Sequence, residues 1–446
     1  METQAQQNLG ATSARGHAWL AAFGGVFAAR IATAGMGFLG TVLMARALGP
    51  GDFGQLAVLL AVSGVAAGLL GPALDASLVR FAARRLTPEH DGAAPYFRFL
   101  LLVKIAAAAL IVAIGFVGAR PIAGALSGRD GGAAYSPHGV FVAFLGASFL
   151  TLWCFAQSYF QAHRRFGAYA AFEFSGTALR LGIIVALLFA ARAGIVSLLW
   201  AYAASALIMG AIAWSFLPRD YVRLERPRAA MGRDFFLFAR WVIAAACFTT
   251  LAQRVDLFLL AAFRVPKETI GHYGAATSLA QIGDLAVMSL FNVLLPTASA
   301  IAAPAVMRAF LRRFRMPAAA ACVALLPGIA AAGPVARLTF GPAYAETGTL
   351  FAVLLAAALA SLIGAPSGAA LYGLGRARAI AMLEGVKLVA LTVAGLYVAP
   401  RYGALGMAWT VAIVKATIAV GTYLAAHREI DRLCAAEGMF ERSAAP

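Results

Sequence analysis

The sequence predicts an all-α integral membrane protein with twelve transmembrane helices. Of its 446 residues, 62% are hydrophobic and only 12% are charged, whereas a soluble domain usually carries about twice that share of charge. Apolar runs of about 18 residues or more, long enough to cross a bilayer, recur along the whole chain. They leave no room for a sizeable soluble domain, so we expect the function to lie inside the membrane or in short loops.

Charged residues, prolines and glycines mark the ends of the predicted spans. The first apolar run is much longer than a signal-peptide core and lacks a convincing cleavage site, so it predicts an uncleaved first span. The twelve spans are predicted at residues 17–47, 53–79, 99–119, 138–161, 168–191, 194–217, 235–262, 270–299, 316–336, 348–372, 379–399 and 403–426.

The basic residues predict the orientation of these spans. With both termini in the cytoplasm, every inner loop carries two or more arginines, including pairs such as Arg164-Arg165 and Arg312-Arg313. The outer loops carry fewer, for example Arg46 alone in the first. Cytoplasmic loops of membrane proteins concentrate Lys and Arg. The net charge of +17 is therefore explained by topology, and we expect no nucleic-acid partner.

Common enzymatic and metal-binding motifs are absent from the sequence. It has no GxxxxGK[ST] phosphate loop and no HExxH pair, and its four cysteines form no CxxC pair. The match GMGFLG at residues 35–40 lies within a predicted span with no preceding strand, so we interpret it as helix packing. We expect neither a metal nor a cofactor, and the short outer loops argue against an enzyme.

An internal repeat predicts two related halves. FQAHRRFGAYAAFEFSGTALRLGIIVALL, from Phe160, aligns with ALYGLGRARAIAMLEGVKLVALTVAGLYV, from Ala370. The outer break ARALGPGDFGQLA at residues 45–57 similarly has a second-half counterpart in RVPKETIGHYG. The predicted domains are an N-terminal six-helix lobe at 1–217, a cytoplasmic linker at 218–234, a C-terminal six-helix lobe at 235–430 and a cytoplasmic tail at 431–446.

Each predicted lobe has an even number of spans, so both insert in the same sense and are related by an axis along the membrane normal. This symmetry predicts a cleft between the lobes. Rocking of one lobe against the other would open the cleft to each side in turn, which is the alternating access of a transporter.

Ionisable residues within the spans are the first candidates for the site, because each costs at least about 2.5–3.5 kcal/mol in hydrocarbon. Arg30 lies about 18 Å along the first predicted span, at 1.5 Å per residue, which is near the middle of the membrane. Arg180 lies at a similar depth, and Lys387 occupies the matching region of the second half. Cations at mid-depth in both halves would suit an anionic ligand.

A second group of candidates combines opposite charges. Arg254 and Asp256 lie near the outer end of the seventh span, and Asp284 near the middle of the eighth. Arg254 is a further candidate for binding the substrate. A carboxylate and this arginine would serve as an ion-pair gate, or the two carboxylates would bind a coupling proton or Na⁺. A static pair that neutralises itself explains the same pattern.

The segment from Arg30 through LMARALGPGDFGQLAVL to GLLGPALDASLVRFAAR resembles the start of bacterial oligosaccharide flippases. These are the polysaccharide transporters of the multidrug/oligosaccharidyl-lipid/polysaccharide (MOP) exporter superfamily. The phrase AR-x-LGP-x-x-FG, followed by VRFAAR, carries the resemblance, and the twelve-span layout extends it over the chain. Related lipid II flippases also place an arginine in the first helix, which implies a cavity role for Arg30.

The resemblance implies a V-shaped, two-lobed transporter in the bacterial inner membrane, with both termini in the cytoplasm. Its implied substrate is an undecaprenyl-diphosphate oligosaccharide, moved from the inner to the outer leaflet for surface polysaccharide synthesis. A polysaccharide polymerase or another assembly protein is the implied protein partner. Arginine suits the diphosphate because its planar, permanently charged fork binds phosphate oxygens.

Two alternatives stay open at the level of the sequence. One is a proton- or Na⁺-coupled drug or metabolite antiporter of the MATE type, which would present carboxylates to its cavity. The other is a membrane glycosyl-transferring enzyme, or a scaffold for one. The surplus of bases over acids within the spans favours an anionic substrate.

Overall fold

A computed structural model describes residues 2–71, 74–75, 94–127, 135–163, 165–223, 229–263, 265–299, 301 and 304–443. The arginines predicted in the first inner loop, Arg80, Arg84 and Arg85, lie outside these residues. So do the VRFAAR motif at residues 79–84 and linker residues 224–228. The described chain is helical throughout, apart from short turns and two 3₁₀ turns.

The first two predicted spans form one helix assignment, α1, which runs over Glu2–Leu70. It is interrupted at Gly49, whose φ of 71° and ψ of 172° are not helical. A positive φ is readily adopted only by glycine, and Pro50 follows with a fixed φ and no N–H donor. These two residues therefore interrupt α1 at the position where the sequence predicts the break between the first two spans.

The next four predicted spans are separate helices. They are α2 (Ala94–Ser127), α3 (Pro137–Ala162), α4 (Phe166–Phe189) and α5 (Ile195–Ser215). A 3₁₀ turn, Arg219–Tyr221, follows α5. The ring of Tyr221 packs on Phe97 of α2, with centroids 4.9 Å apart.

The seventh and ninth predicted spans are each broken into two helices. The seventh comprises α6 (Ala229–Ala252) and α7 (Val255–Ala262), bent by 42° at the break. The ninth comprises α9 (Pro304–Ala330) and α10 (Ala332–Phe340). Pro304 supplies a first helical residue that needs no N–H partner, so α9 begins before the predicted start at residue 316.

The remaining spans complete the second half. They are α8 (Lys267–Ser299), α11 (Thr347–Gly373) and α12 (Ala377–Ser443). A 3₁₀ turn, Pro342–Tyr344, lies between α10 and α11. Like α1, α12 contains two predicted spans, divided at Gly403, where φ is 58°.

Within the described residues, nine helices are long and apolar enough to cross a membrane, or ten if the bent pair α6–α7 counts as one span. Two of the nine, α1 and α12, each hold two predicted spans. The count is therefore consistent with twelve spans. The prediction of an all-α, multi-pass membrane fold is confirmed.

The contacts divide the chain into two compact units. One contains Met1–Met44, Leu70–Phe116 and Val142–Leu237. The other contains Ala45–Leu69, Val117–Phe141 and Phe238–Pro446. These units are defined by contacts between segments and do not coincide with the two repeated halves. The proposed lobe boundaries at 217 and 235 therefore stay a prediction.

Within the second unit, the backbone of α1 at Pro50 and Gly54 lies very close to the first turns of α8. A Cβ on Gly271 would lie 1.8 Å from the Pro50 carbonyl oxygen, and one on Gly54 would lie 2.2 Å from the Lys267 carbonyl oxygen. Only hydrogen atoms on these two α-carbons leave room for the two backbones. Small residues play this role in the packing of membrane helices.

We predict that Gly271→Ala lowers the melting temperature of the purified protein by several degrees, because the new methyl group must separate the two backbones. Overpacking of this kind costs about 1–3 kcal/mol. Gly64→Ala is the matched control: it lies on α1, and its added Cβ meets no atom within 4 Å. Equal melting temperatures for the two variants would contradict the close approach of the two backbones.

Candidate functional site

Arg30 lies on α1, and its described partner is aromatic. Its guanidinium hydrogen-bonds to the hydroxyl of Tyr169, near the start of α4, and Glu173 also acts on this hydroxyl electrostatically. The side chain of Arg30 is exposed. Arg30 thus combines a contact with an uncharged group and an exposed side chain.

Arg180 lies further along α4 in the same unit and also meets a tyrosine. Its guanidinium carbon is 4.6 Å from the ring centre of Tyr202, on α5. A cation–π contact holds an arginine without neutralising it, and its N–H groups can still bind an anion. The first unit therefore carries two predicted site arginines whose described partners are tyrosines.

Lys387 is placed differently, because a carboxylate neutralises it. Its ammonium group forms an ion pair with Glu384, one turn earlier on α12. Glu384 also accepts a 2.8 Å hydrogen bond from the Thr249 hydroxyl of α6. The second-half counterpart of Arg180 is thus engaged in a local polar cluster in this conformation.

Asp284, on α8, forms an ion pair with Lys415, on α12, at 3.2 Å. Half of the aspartate side chain, 52%, is exposed, against 27% of the lysine. Pairing of this kind lowers the cost of holding both charges within the spans.

Asp256 is the most enclosed of the predicted site residues in the second unit, with 7% of its surface exposed. It lies in the first turn of α7, directly after the break between α6 and α7. Its Oδ2 accepts a 2.6 Å hydrogen bond from the Tyr273 hydroxyl of α8. Its Oδ1 accepts a 2.8 Å bond from the backbone N–H of Leu257.

Arg254 does not form the ion pair with Asp256 that one hypothesis required. Among the described residues, the direct contacts of Asp256 are Tyr273 and Leu257, and Arg254 acts on it only at longer range. Arg254 instead occupies the break itself, as the residue before α7, with a φ of −134°.

The first unit also contains an ion pair to which the sequence analysis assigned no role. Lys104, on α2, has no exposed surface, and its ammonium group lies 2.8 Å from Oδ2 of Asp75. The same ammonium group donates a 3.2 Å hydrogen bond to the Gly71 carbonyl. Their burial makes them an internal link between α2 and the region after α1.

The predicted site residues are distributed over both units. Arg30 and Arg180 belong to one unit, and Arg254, Asp256, Asp284 and Lys387 to the other. The partners Tyr273 and Lys415 were missed as site residues. Tyr273 lies within RVPKETIGHYG, the second-half counterpart of the outer break, and nothing in the local sequence connects Lys415 with Asp284.

The helices define the class as a multi-pass membrane protein. A similar solved structure is an inward-facing multidrug resistance MATE family transporter of the MOP superfamily, with 14% identity, a TM-score of 0.72 and coverage of 90% of this chain and 95% of that one. The lipid II flippase MurJ, in an inward closed conformation, is also similar, with 12% identity, a TM-score of 0.70 and coverage of 90% of this chain and 87% of that one. A MOP superfamily transporter from Pyrococcus furiosus has 17% identity and a TM-score of 0.57, with coverage of 91% of this chain and 96% of that one.

The family follows from the sequence match. Residues 21–302, more than half of the chain, match the family described as "Polysaccharide biosynthesis protein", so the chain belongs to this family. Its fold is that of the MOP superfamily, and the resemblance noted from the sequence is confirmed. A search of curated proteins finds no match.

We predict that Lys104→Met strongly reduces the yield of folded protein, because it leaves the Asp75 carboxylate buried without its counterion. Breaking a buried pair in this way costs about 3–5 kcal/mol. The yield is measured by fluorescence-detected size exclusion.

The double variant Lys104→Met/Asp75→Asn should recover much of the loss, because no charge is then left buried. Lys267→Met is the matched control, since it breaks the exposed pair with Asp52, and should have little effect. A normal yield for Lys104→Met would contradict a structural role for the pair.

Proposed function

We propose that this protein moves a polyprenyl-diphosphate-linked oligosaccharide, in bacteria the undecaprenyl form, from the inner to the outer leaflet of the plasma membrane. The observation that carries the proposal is the positive charge of Arg30 and Arg180. Their described partners are the tyrosines Tyr169 and Tyr202, and tyrosine does not neutralise an arginine. The family match to polysaccharide biosynthesis proteins indicates what kind of anion is carried.

A diphosphate is the part of such a substrate that the protein must accommodate. Its negative charge is costly to bring into an apolar medium, and bidentate arginine contacts offset part of this cost. The lipid tail can remain in the bilayer while the head group moves. Because only the charged head group enters the protein and no bond is broken, such a carrier needs cations but no catalytic group.

Alternating access would move the head group, with both termini in the cytoplasm as the arginine distribution predicts. A polysaccharide polymerase or another assembly protein would take the product on the outer side. The energy source would be an ion gradient acting through Asp256 and Asp284, with H⁺ or Na⁺ as the coupling ion. In this proposal the protein itself is not an enzyme.

The alternative is an antiporter for cationic drugs or metabolites, as in the MATE transporter that the fold resembles. It would use carboxylates to bind its substrate. Three of the acids within the spans are already paired with lysines: Asp75, Asp284 and Glu384. This pairing reduces the negative charge that is available to bind a cationic substrate, and it therefore favours an anionic one.

We predict that Arg30→Ala abolishes leaflet transfer of a polyprenyl-diphosphate sugar in reconstituted vesicles and leaves the protein folded in the membrane. Loss of a charge-assisted contact to phosphate removes about 1.5–3 kcal/mol. Arg30→Lys should retain part of the activity, because the charge remains but the bidentate fork is lost.

The matched control is Arg192→Ala, which removes an exposed arginine from the turn after α4 in the same unit. It should transfer the lipid at the normal rate. Normal transfer by Arg30→Ala would remove Arg30 from the site. Transfer of a cationic drug but of no sugar lipid by the unaltered protein would support the alternative.

We predict that Asp256→Asn and Asp284→Asn change how transfer depends on ion gradients, because each removes a carboxylate that can bind a cation. Vesicles with an imposed pH or Na⁺ gradient supply the measurement. An unaltered gradient response in both variants would contradict ion coupling at these residues.

A further inference from the structure

The turn that divides α1 is fastened to the second half of the chain by several polar bonds. Arg46 donates from Nε to the Thr339 carbonyl at 2.8 Å and from Nη2 to the Leu338 carbonyl at 2.5 Å. The Tyr344 hydroxyl donates to the Ala45 carbonyl at 2.8 Å. We call these contacts, between residues 45–54 and the segments 267–273 and 338–347, the hairpin latch.

The first turns of α8 form the other side of the hairpin latch. Lys267 lies 3.4 Å from Asp52, and the backbone at Gly271 touches Pro50. All these residues belong to the second unit. They lie at the end of the spans that the basic residues predict to face outward.

Two neighbouring residues of α8 connect the hairpin latch to the buried carboxylate. His272 lies 3.2 Å from the Thr347 hydroxyl, and its ring meets the edge of the Tyr344 ring at 5.6 Å between centres. Tyr273, the next residue, donates to Asp256. One side of this helix turn thus contacts the hairpin latch and the other side contacts Asp256.

We infer that Asp256 is a proton-binding group that controls the hairpin latch through Tyr273 and α8. When Asp256 is ionised, its bond with the Tyr273 hydroxyl holds the first turn of α8 against α7, and the hairpin latch is closed. A proton from water adds to the carboxylate, and no other covalent bond changes. The neutral acid is a weaker acceptor, so α8 is released and the hairpin latch opens.

The groups around Asp256 favour a proton over Na⁺. Both carboxylate oxygens face hydrogen-bond donors, the Tyr273 hydroxyl and the Leu257 amide, whereas a hard metal cation prefers a shell of oxygen acceptors. The other charged groups acting on Asp256 are Arg254, at the helix break, and Lys415, from α12. Burial of Asp256 favours the neutral acid, and these two cations favour the ionised, closed form.

The Tyr344 hydrogen bond of the hairpin latch does not depend on a change of protonation within the latch. Burial raises the pKa of the Tyr344 hydroxyl above its usual value, so this group remains a donor at neutral pH. Among the described residues, the latch also includes the titratable Asp52, paired with Lys267, and it faces His272, whose acidic neighbours are Glu346, at 3.9 Å, and Glu268. The experiment must therefore separate His272 from Asp256.

A cysteine at position 45 reports the state of the hairpin latch, because Ala45 has no exposed surface. The full chain, with its four native cysteines replaced by alanine and Ala45→Cys added, is labelled with a water-soluble maleimide. This assay uses no sugar lipid. We expect slow labelling at neutral pH and labelling about tenfold faster at mildly acidic pH, the change that one charged hydrogen bond can produce.

Tyr273→Phe removes only the hydroxyl, so labelling should be fast at every pH. Asp256→Asn should behave in the same way, and the double variant should label no faster than either single one, because both break the same bond. Asp256→Asn retains the shape of the side chain and serves if Tyr273→Phe does not fold. Tyr402→Phe, at an exposed tyrosine, is the matched control and should retain the pH response.

His272→Asn retains a hydrogen-bonding group without a titration near neutral pH, and the response to acid should persist in it. Loss of the response in His272→Asn together with its persistence in Tyr273→Phe would overturn the inference. A response to Na⁺ at constant pH would assign the site to that ion instead. The inference rests on the proposed transport function, but failure of sugar-lipid transfer with an intact labelling response would contradict only the proposed substrate.

Discussion

The cost of placing charge in an apolar environment is the constraint on which most of this structure depends. Each ionisable group inside the spans must find a partner, because water is scarce there. Lysines meet this need by pairing with acids, as Lys104 does with Asp75 and Lys387 with Glu384. The arginines Arg30 and Arg180 meet it with tyrosines. The described partners thus neutralise these lysines and leave these arginines charged, which is the arrangement an anion carrier needs.

The positions of the helices were largely predictable from the sequence, and their partners were not. Long apolar runs mark spans because hydropathy is a local property, and Gly49 with Pro50 marks a turn for the same reason. Burial depends on packing between distant segments. No specific partner was therefore predicted for Lys104 or Lys415, because nothing in their neighbouring sequence encodes the contact with Asp75 or Asp284.

The helix breaks show a similar limit. The seventh predicted span continues through Gln253 and Arg254 in the sequence, but the structure ends α6 at Ala252 and begins α7 at Val255. No proline or glycine marks this position, so a propensity argument predicts an unbroken helix. The break places Asp256 in the first turn of a new helix, where free N–H groups and the helix dipole favour a carboxylate. The position of Asp256 at a helix start thus depends on a break that the local sequence does not predict.

Lys415 connects the two carboxylates that were considered for ion coupling. It forms an exposed pair with Asp284 and also attracts Asp256 at longer range. When Asp256 is ionised, this lysine is shared between two negative groups. Neutralising Asp256 leaves the attraction of Lys415 to Asp284 alone, so we expect the protonation of one acid to affect the other through this lysine. A proton bound at the buried acid would then be felt at the exposed one, because charges separated by an apolar region are weakly screened.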